Sequence, residues 1–420
     1  MNISRRNFIK QTTAAGTLAN SFFIRNARAA EKKLLKIALV GCGARGKGAA
    51  SNCRSAAAQL GVELQMVAVA DWFKAKAKLA GRHWDVPEKQ CFGGATAYRN
   101  VMESTADLVI LATPPNFRPV HFAAAVEAGK HAFIEKPVAV DPPGVRKVIA
   151  SGKLAKQKGL SVIAGTQRRY KANYRRNAYL VHNGAIGDIL NGQVYWCNQR
   201  GTNPNERKGK SDPDYLITNW GNWSMMSGDH IVEQHVHNID VANWFIGRTP
   251  VTAYGFGGRA RRKTGNNFDF FSVDFDYGKG CHVHSMCRQV NGCYRKVSEQ
   301  FTGTKGTVSG NGKINAMEEI KIDTPSFMEG DGQVIEHYDL IKSIIEEKPL
   351  NEAETIANST MTAIMGRISA YTGQIIRWAD VMILEESKFY NLTLAPTALD
   401  FENGQVVAPQ DDIIPIPGSA

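Results

Sequence analysis

The segment Leu35-Lys36-Ile37-Ala38-Leu39-Val40-Gly41-Cys42-Gly43-Ala44-Arg45-Gly46 leads a mostly apolar run directly into a G-x-G-x-x-G turn. A short apolar run of this kind is typical of a strand buried in a parallel sheet. Glycines in the turn let the backbone approach a pyrophosphate, and the helix that follows points its dipole at the same group. The motif alone does not distinguish a dinucleotide site from a plain tight turn, so the residues around it decide.

A second apolar run, Leu64–Ala70, ends at Asp71, 25 residues after Gly46. An acid at the end of the second strand accepts the ribose hydroxyls of NAD and repels the 2′-phosphate of NADP. We therefore expect Gly41 to Gly46 and Asp71 to bind NAD in preference to NADP, although the nearby Lys74 leaves NADP open.

Further apolar runs alternate with helical patterns as far as Gln167. The pattern predicts strands at Leu108–Ala112, His131–Ile134 and Leu160–Ala164, and a helix at Pro119–Ala128. This βαβ order is typical of a doubly wound parallel sheet. The sequence thus predicts an α/β protein whose N-terminal domain, residues 34–167, is a Rossmann domain.

The pattern changes after Gln167, where polar and apolar residues alternate. Strands are predicted at Gly192–Asn198, Phe270–Tyr277 and Cys281–Cys287, with covering helices at about 170–182, 234–246 and 352–377. Such alternation is typical of a sheet with one covered face. We expect a second α/β domain over 168–394 with a large, mostly antiparallel open sheet, homo-oligomer formation through that sheet, and an extended proline-containing tail over 395–420.

The N-terminus reads as a targeting segment. Ser4-Arg5-Arg6-Asn7-Phe8-Ile9-Lys10 precedes a modest apolar stretch and the small-x-small sequence Ala27-Arg28-Ala29. The stretch is too short and too interrupted to span a bilayer, which needs about 20 apolar residues. Residues 1–29 are therefore predicted to be a twin-arginine signal, and the mature chain a periplasmic or otherwise exported protein without a membrane span.

The distribution of charge and the spacing of the cysteines argue against two other classes of protein, nucleic-acid-binding and zinc-binding proteins. Of the formal charge of +12, five positive charges belong to the predicted signal, so the rest of the chain carries about +7. The remaining basic runs are short and scattered, without the interleaved aromatics of a nucleic-acid groove. A nucleic-acid partner is therefore not expected. The seven cysteines include no Cys-x-x-Cys pair, so a zinc knuckle is not expected either.

Two further segments resemble one family. The strand end Ala112-Thr113-Pro114-Pro115-Asn116 is followed by His121 and then by Ala128-Gly129-Lys130-His131-Ala132-Phe133-Ile134-Glu135-Lys136-Pro137. This pattern resembles the glucose-fructose oxidoreductase / inositol dehydrogenase / rhizopine-catabolism (Gfo/Idh/MocA) family with its E-K-P motif. The resemblance implies that a cis proline aims Lys136 at the substrate, between nicotinamide and reacting hydroxyl. It also implies cofactor contacts from Thr113, Pro114, Asn116, His121, Glu135 and Lys136.

The stretch Gly228-Asp229-His230-Ile231-Val232-Glu233-Gln234-His235-Val236-His237-Asn238-Ile239-Asp240 aligns with the family's motif G-G-x-L-x-D-x-G-x-H-x-x-D. The resemblance places His237 on the catalytic histidine and Asp240 on the final acid. Glu233 stands where an aspartate is usual, and His235 replaces a glycine. On a continuous helix Glu233 would share a face with His237 and could orient its imidazole. Binding of a metal by Glu233, His235 and His237 is disfavoured because this spacing converges poorly on a helix.

Between the predicted domains, Gly165-Thr166-Gln167-Arg168-Arg169-Tyr170 is similar to the G-T-Q-R-R-H stretch of exported and glycosidase-like members. It implies cofactor contacts from Gln167 and Arg168, with Tyr170 as a catalytic or substrate residue in place of histidine. Trp223 is a candidate for stacking on a sugar ring, and His235 and Asp240 are further substrate candidates.

The sequence therefore predicts an NAD(P)-dependent oxidoreductase that acts on a carbohydrate, with Lys136, His237, Glu233 and Tyr170 as catalytic candidates. Because free NAD is scarce outside the cytoplasm, export would require a tightly bound cofactor. Two alternatives stay open. One is a redox-neutral glycosidase, similar to family 109 glycoside hydrolases, that oxidises C3, eliminates, hydrates and reduces again; the other is a non-catalytic sugar-binding protein.

Overall fold

A computed structural model describes residues 33–200, 207, 209–413 and 415–418, so the predicted signal at 1–29 lies outside the described residues. The strands and helices of the first part are, in chain order, β1 (Leu34–Val40), α1 (Ala44–Gln59), β2 (Glu63–Asp71), α2 (Lys74–His83), β3 (Cys91–Gly93), α3 (Ala97–Met102), β4 (Leu108–Leu111), α4 (Arg118–Glu127), β5 (His131–Ile134), α5 (Pro142–Gln157) and β6 (Val162–Ala164).

These strands form one parallel sheet in the order β3-β2-β1-β4-β5-β6. Alternate residues of β1 pack on opposite faces: Ile37 and Leu39 enter one apolar cluster, and Ala38 and Val40 enter another. Both faces are therefore covered, which explains why β1 is apolar almost throughout. The predicted Rossmann domain is confirmed, and the sequence missed only the short strand β3.

The second part contains α6 (Ala172–His182), β7 (Ile189–Asn198), α7 (Asp212–Thr218), α8 (Ser224–Ser227), α9 (His230–Glu233), α10 (Val236–Ile246), β8 (Thr252–Gly258), β9 (Phe270–Asp276), β10 (His282–Gln289), β11 (Lys296–Gly303), β12 (Gly306–Ser309), β13 (Ile314–Ala316), α11 (Gly332–Ile345), α12 (Ala353–Thr372), β14 (Ile376–Arg377), α13 (Trp378–Met382) and α14 (Ala398–Glu402).

The second sheet has the order β13-β12-β11-β7-β10-β9-β8-β14. Its pairs are antiparallel except for β7 with β10, as the mostly antiparallel prediction required. One face packs on α10 and α12. The other face carries exposed apolar side chains, Tyr254, Phe256 and Met286.

One helix from beyond the predicted boundary at 167/168 packs on the first sheet. Helix α11, far along the chain, packs on α1 of the first sheet and on the 3₁₀ turn Gln167–Tyr170. Its Ile335, Leu340 and Ile341 belong to the same apolar cluster as Ile37 and Leu39 of β1. The chain thus returns to cover the first sheet, because that face is left open by the residues before 168.

The tail also differs from the prediction. It is not merely extended over the surface, because α14 interrupts it and buries Ala398 and Phe401. All seven cysteines are unpaired, and six of them are buried. In the part of the chain that the structure covers, no helix is long and apolar enough to span a membrane.

Candidate active site

The glycine-rich turn lies between β1 and α1. Gly41 has φ +99°, and a Cβ there would come within 2.6 Å of the Ala112 backbone. A Cβ on Gly46 would collide with the Gly41 carbonyl. A Cβ on Gly43 would instead project into open space at the edge of a cavity. Gly41 and Gly46 are therefore needed for close packing of the backbone, and Gly43 leaves room for a ligand.

Helix α1 begins at this turn without a side-chain cap and without an acid in its first turn. The first N–H groups of an α-helix have no intrahelical acceptor, and the helix dipole adds partial positive charge there. An anionic group beside Gly43 would satisfy both. The turn therefore fits the diphosphate of a dinucleotide.

A cavity of about 340 Å³ opens at the carboxyl ends of β1, β2 and β4. Asp71 lies on its wall and accepts hydrogen bonds from the backbone N–H of Cys42 at 2.8 Å and of Phe73 at 2.9 Å. Predicted cofactor residues on the wall are Gly41, Gly43, Ala44, Arg45, Asp71, Thr113, Pro114 and His121. Cys42 instead buries its thiol, which donates to the Ala70 carbonyl. We name this space the dinucleotide cavity.

The lysine near Asp71 differs from the sequence expectation. Lys74 donates its Nζ to the Cys91 carbonyl on β3, so it does not face the cavity. Lys76 lines the cavity instead and lies over the Phe73 ring at 4.7 Å. Any attraction for a 2′-phosphate would therefore come from Lys76.

A second cavity of about 300 Å³ adjoins the first, because Arg45, Ala112, Thr113 and Trp220 line both. We name it the substrate cavity. Predicted residues on its wall are Arg45, Thr113, Glu135, Lys136, Gln167, Glu233 and His237. The E-K-P segment and the histidine motif, almost 100 residues apart in sequence, therefore meet at one place.

Lys136 and Glu233 form an ion pair on the wall of the substrate cavity. Lys136 Nζ lies 2.9 Å from Glu233 Oε1 and also donates to the Glu233 carbonyl. The Lys136–Pro137 peptide bond is cis, as the resemblance implies. Neighbouring Glu135 pairs with Arg45 of the glycine-rich turn, so both acids beside the cavity hold a cation in place.

His237 reaches the substrate cavity from the start of α10. Its ring stacks on Trp196 with centroids 5.9 Å apart. Burial, with the positive charge of Lys136 as a further cause, holds the pKa of His237 well below its usual value. Among the described residues, none hydrogen-bonds to its ring nitrogens. His237 is thus a neutral imidazole at the cavity, able to accept a proton.

Glu233 does not orient His237, contrary to the sequence interpretation. Helix α9 ends at Glu233 and α10 begins at Val236, so the two residues are not one turn apart on a single helix. The carboxylate turns to Lys136 instead. The expectation failed because Gln234 and His235 interrupt the helix.

His235 lies away from the substrate cavity. It is fully buried, and its Nε2 lies 2.8 Å from Ser285 Oγ on β10. Burial lowers its pKa to about 3. Because it faces the second sheet, it does not line the substrate cavity beside Glu233 and His237. Among the described residues, no group of three or more His, Cys, Asp or Glu is placed to hold a metal ion.

Tyr170 also lies in the core and not at the cavity. Its hydroxyl donates to Glu352 Oε1 at 2.6 Å, and burial together with the Glu352 charge raises its pKa well above the usual value. A hydroxyl held by a buried carboxylate at this place is structural. The structure therefore does not place Tyr170 on the wall of either cavity, where a catalytic or substrate residue was predicted.

Two other candidates are held in buried ion pairs. Asp240 accepts from Arg169 at 2.8 and 2.9 Å and from Ser359 Oγ at 2.8 Å. Arg168 pairs with Glu299 on β11. Both side chains are buried in the second domain, where each charge needs a partner. The structure thus places neither Asp240 nor Arg168 on the wall of either cavity.

Aromatic and amide candidates are partly misplaced as well. Trp223 is fully buried against Tyr215, whereas Trp220, three residues earlier, lines both cavities. Asn116 is buried and donates its Nδ2 to Met226 Sδ at 3.2 Å, so it does not line either cavity. His121 does line the dinucleotide cavity, with its Nδ1 3.3 Å from Thr113 Oγ1.

The sequence missed several wall residues. Gln234 lies inside the histidine motif, and Gln333 comes from the unpredicted helix α11. Arg118 also borders the substrate cavity and donates to the carbonyls of Leu111 at 2.6 Å and Thr113 at 2.8 Å. Arg118 directly precedes Pro119 at the start of a predicted helix, and this position was the sequence signal that could have identified it as a wall residue. Nothing local marked Gln333.

Two family models match the chain. Residues 35–166 match a model described as an oxidoreductase family with an NAD-binding Rossmann fold, and residues 174–309 match the GFO/IDH/MocA C-terminal domain. Together these ranges cover both sheets as far as β12.

Curated relatives include a 2,7-anhydro-N-acetylneuraminate hydratase of Escherichia coli K12, 26% identical over 197 residues, which are 46% of this chain and 49% of the relative. The match thus spans about half the length of that relative. An inositol 2-dehydrogenase of Rhizobium meliloti 1021 is 23% identical over 273 residues, 63% of this chain and 73% of the relative. A solved structure of Lactobacillus casei scyllo-inositol dehydrogenase with NAD(H) and scyllo-inositol has a TM-score of 0.61 at 19% identity, covering 82% of this chain and 99% of that one.

Proposed function

Because the chain belongs to the Gfo/Idh/MocA oxidoreductase family, we propose that it transfers a hydride between NAD and a hydroxyl-bearing carbon of a sugar or glycoside. One observation carries the proposal. Lys136, from the first sheet, and His237, from the second domain, line a single cavity that adjoins the dinucleotide cavity.

The residues present fit a dinucleotide. Gly43 and the uncapped start of α1 would hold the diphosphate, and Asp71 would accept the ribose hydroxyls with the lone pairs that Cys42 and Phe73 leave free. A carboxylate there repels a 2′-phosphate, which favours NAD over NADP. When bound, NAD supplies the hydride acceptor.

The protein's own groups would move the hydroxyl proton. His237 is neutral and can accept it, and Lys136 lies close enough to the histidine to affect its pKa. Glu233 fixes the lysine side chain by ion pairing. An acid–base group of this kind contributes about 10²–10⁴-fold to rate. Proton transfer on the sugar hydroxyl is therefore assigned to Lys136 and His237.

A redox-neutral cycle is the second candidate, and the similarity to the E. coli hydratase favours it, since a hydratase adds water without net oxidation. In such a cycle, oxidation at ring C3 makes the C2 proton acidic, a group leaves, water adds and the ketone is reduced again. Tyr170 and His235 are too far inside the core to be the base. His237 and the Lys136–Glu233 pair are the titratable groups at the cavity that remain for this step.

The same proposal has three further parts: export by the twin-arginine route, a tightly bound cofactor, and assembly of copies of the chain through the open face of the second sheet. Their support is the sequence of residues 1–29 and the exposed Tyr254, Phe256 and Met286. A non-catalytic sugar-binding role is disfavoured because a cavity built only for binding would not need the partly buried Lys136–Glu233 ion pair beside a neutral histidine.

The test is turnover of a panel of sugars and glycosides in D2O by protein whose nicotinamide content has first been measured after denaturation. Net oxidation leaves any glycosidic bond whole, leaves C2 unlabelled and accumulates NADH. A redox-neutral cycle places deuterium at C2 without net NADH. Protein that binds no nicotinamide, either as purified or after addition, would contradict both candidates.

A further inference from the structure

The tail, which we define as described residues 395–413 and 415–418, docks first on the Rossmann domain. Phe401 of α14 is buried edge-to-face against Trp72 at 5.8 Å and Phe117 at 5.0 Å. Glu402 accepts a hydrogen bond from Tyr98 Oη at 2.8 Å and pairs with Arg99. Apolar packing and a partly buried ion pair therefore fix α14 to α3 and to the ends of β2 and β4.

The tail then crosses to the second domain. The backbone N–H of Ala408 donates to Asp212 at 2.8 Å, at the first turn of α7. Asp411 accepts from Tyr215 Oη at 2.9 Å and from the backbone N–H of Gly265 at 2.8 Å. Its second half is thus fastened to α7 and to the loop before β9.

These two attachments involve residues that line the dinucleotide cavity, or their neighbours in sequence, from both domains. Trp72, Tyr98 and Phe117 form part of the wall from the Rossmann domain, and Ile217 and Trp220 form part of the wall from the second domain. Phe401 and Ala398 of the tail share one apolar cluster with residues of both walls. Trp72 Nε1 also donates to Asp214 of the second domain at 2.6 Å.

We propose that the tail is a strap that retains NAD in its cavity by holding these two walls together. The inference rests on the proposed function only in taking NAD as the occupant. A wider separation of these two parts of the wall would speed the exchange of bound NAD, and this separation requires the contacts of Phe401, Glu402 or Asp411 to break. These three are positioning residues, since none of them lines the cavity.

The experiment uses the full chain and NAD itself as the probe. Protein is loaded with radiolabelled NAD, diluted into excess unlabelled NAD, and sampled for label that remains bound. Phe401→Ala removes the apolar anchor, and Glu402→Gln removes the charge that pairs with Arg99 while keeping side-chain volume. Val407→Ala, at a tail position 75% exposed, is the matched control.

We expect Phe401→Ala to release NAD about tenfold faster or more, a factor that corresponds to roughly 1.4 kcal/mol. Glu402→Gln should also release NAD faster than the wild type, and Val407→Ala should match the wild type. The melting temperature of NAD-free protein separates retention from stability. If Phe401→Ala does not fold, Glu402→Gln decides alone.

Unchanged release from the folded variants overturns the strap, even if their melting temperatures fall. Should the wild type bind and reduce NAD with a sugar while release stays unchanged in the variants, only the strap is refuted. Should the wild type bind no NAD, the proposed function falls with it.

Discussion

Replacement of Lys136 by methionine tests the assignment of the active site most directly. The Nζ–Oε1 distance of 2.9 Å, between side chains only 11% and 17% exposed, gives a Coulomb attraction of about 6 kcal/mol at an effective dielectric of about 20. Most of this attraction offsets the desolvation of the two charges. Removal of the lysine strands the Glu233 carboxylate, which should cost about 3 kcal/mol of folding free energy.

Lys136→Met should also lower turnover by roughly a hundredfold or more, because it removes a group that acts on the substrate proton. NAD content should not change, since Gly43 and Asp71 are untouched. Loss of stability alone could mimic part of this effect, so a second variant is needed.

The double variant Lys136→Met/Glu233→Gln removes the stranded charge. We expect it to regain most of the lost stability, because a neutral amide costs less to bury than an unpaired carboxylate, and to remain as inactive as the single variant. The assay compares thermal midpoints, bound NAD and kcat/KM on the sugar that the panel identifies. Turnover above a tenth of wild type in either variant would refute the role of Lys136.

Three further outcomes are expected. Asp71→Ala should weaken NAD more than NADP in equilibrium binding, because a ribose acceptor and a repulsive charge leave together; equal losses would place the ribose elsewhere. Burial lowers the pKa of His337 to about 3 from 6.5, so stability is lost as pH falls below 6.5, by up to about 1.4 kcal/mol per pH unit. His337→Phe, which keeps an aromatic ring against Phe133, should raise the melting temperature at pH 5 more than at pH 8, and a gain equal at both pH values would contradict the assignment. Phe256→Asp on the open sheet face should yield monomers in light scattering, whereas an unchanged mass would direct assembly to another surface.

The sequence predicted the parts of the fold that repeat or that follow a motif. The strands of the first sheet were found because each is a short apolar run between helices, and Asp71 was found from its spacing to the glycine-rich turn. Lys136 and His237 were found because the segments that carry them resemble motifs of a known family. Strand β3 was missed because three residues carry no periodicity. Helix α11 was missed because nothing in its own sequence shows that it must cover α1.

Side-chain direction was the harder part. Tyr170, His235 and Trp223 lie beside residues that do line the cavities, namely Gln167, Gln234 and Trp220, but they point into the core. The interruption at Gln234 and His235 turns Glu233 from His237 towards Lys136. Such turns depend on long-range partners such as Glu352 and Ser285, which a local motif does not contain.

The return of α11 to α1 affects how the protein is made. Three residues of α11 cover the first sheet: Ile335, Leu340 and Ile341. They are made only after the ribosome has added almost 290 residues beyond α1. At typical synthesis rates this is a delay of roughly 15–60 s. During that interval the nascent nucleotide-binding half exposes an apolar surface to chaperones and to other chains. A fragment ending near residue 167 would keep that apolar surface exposed permanently.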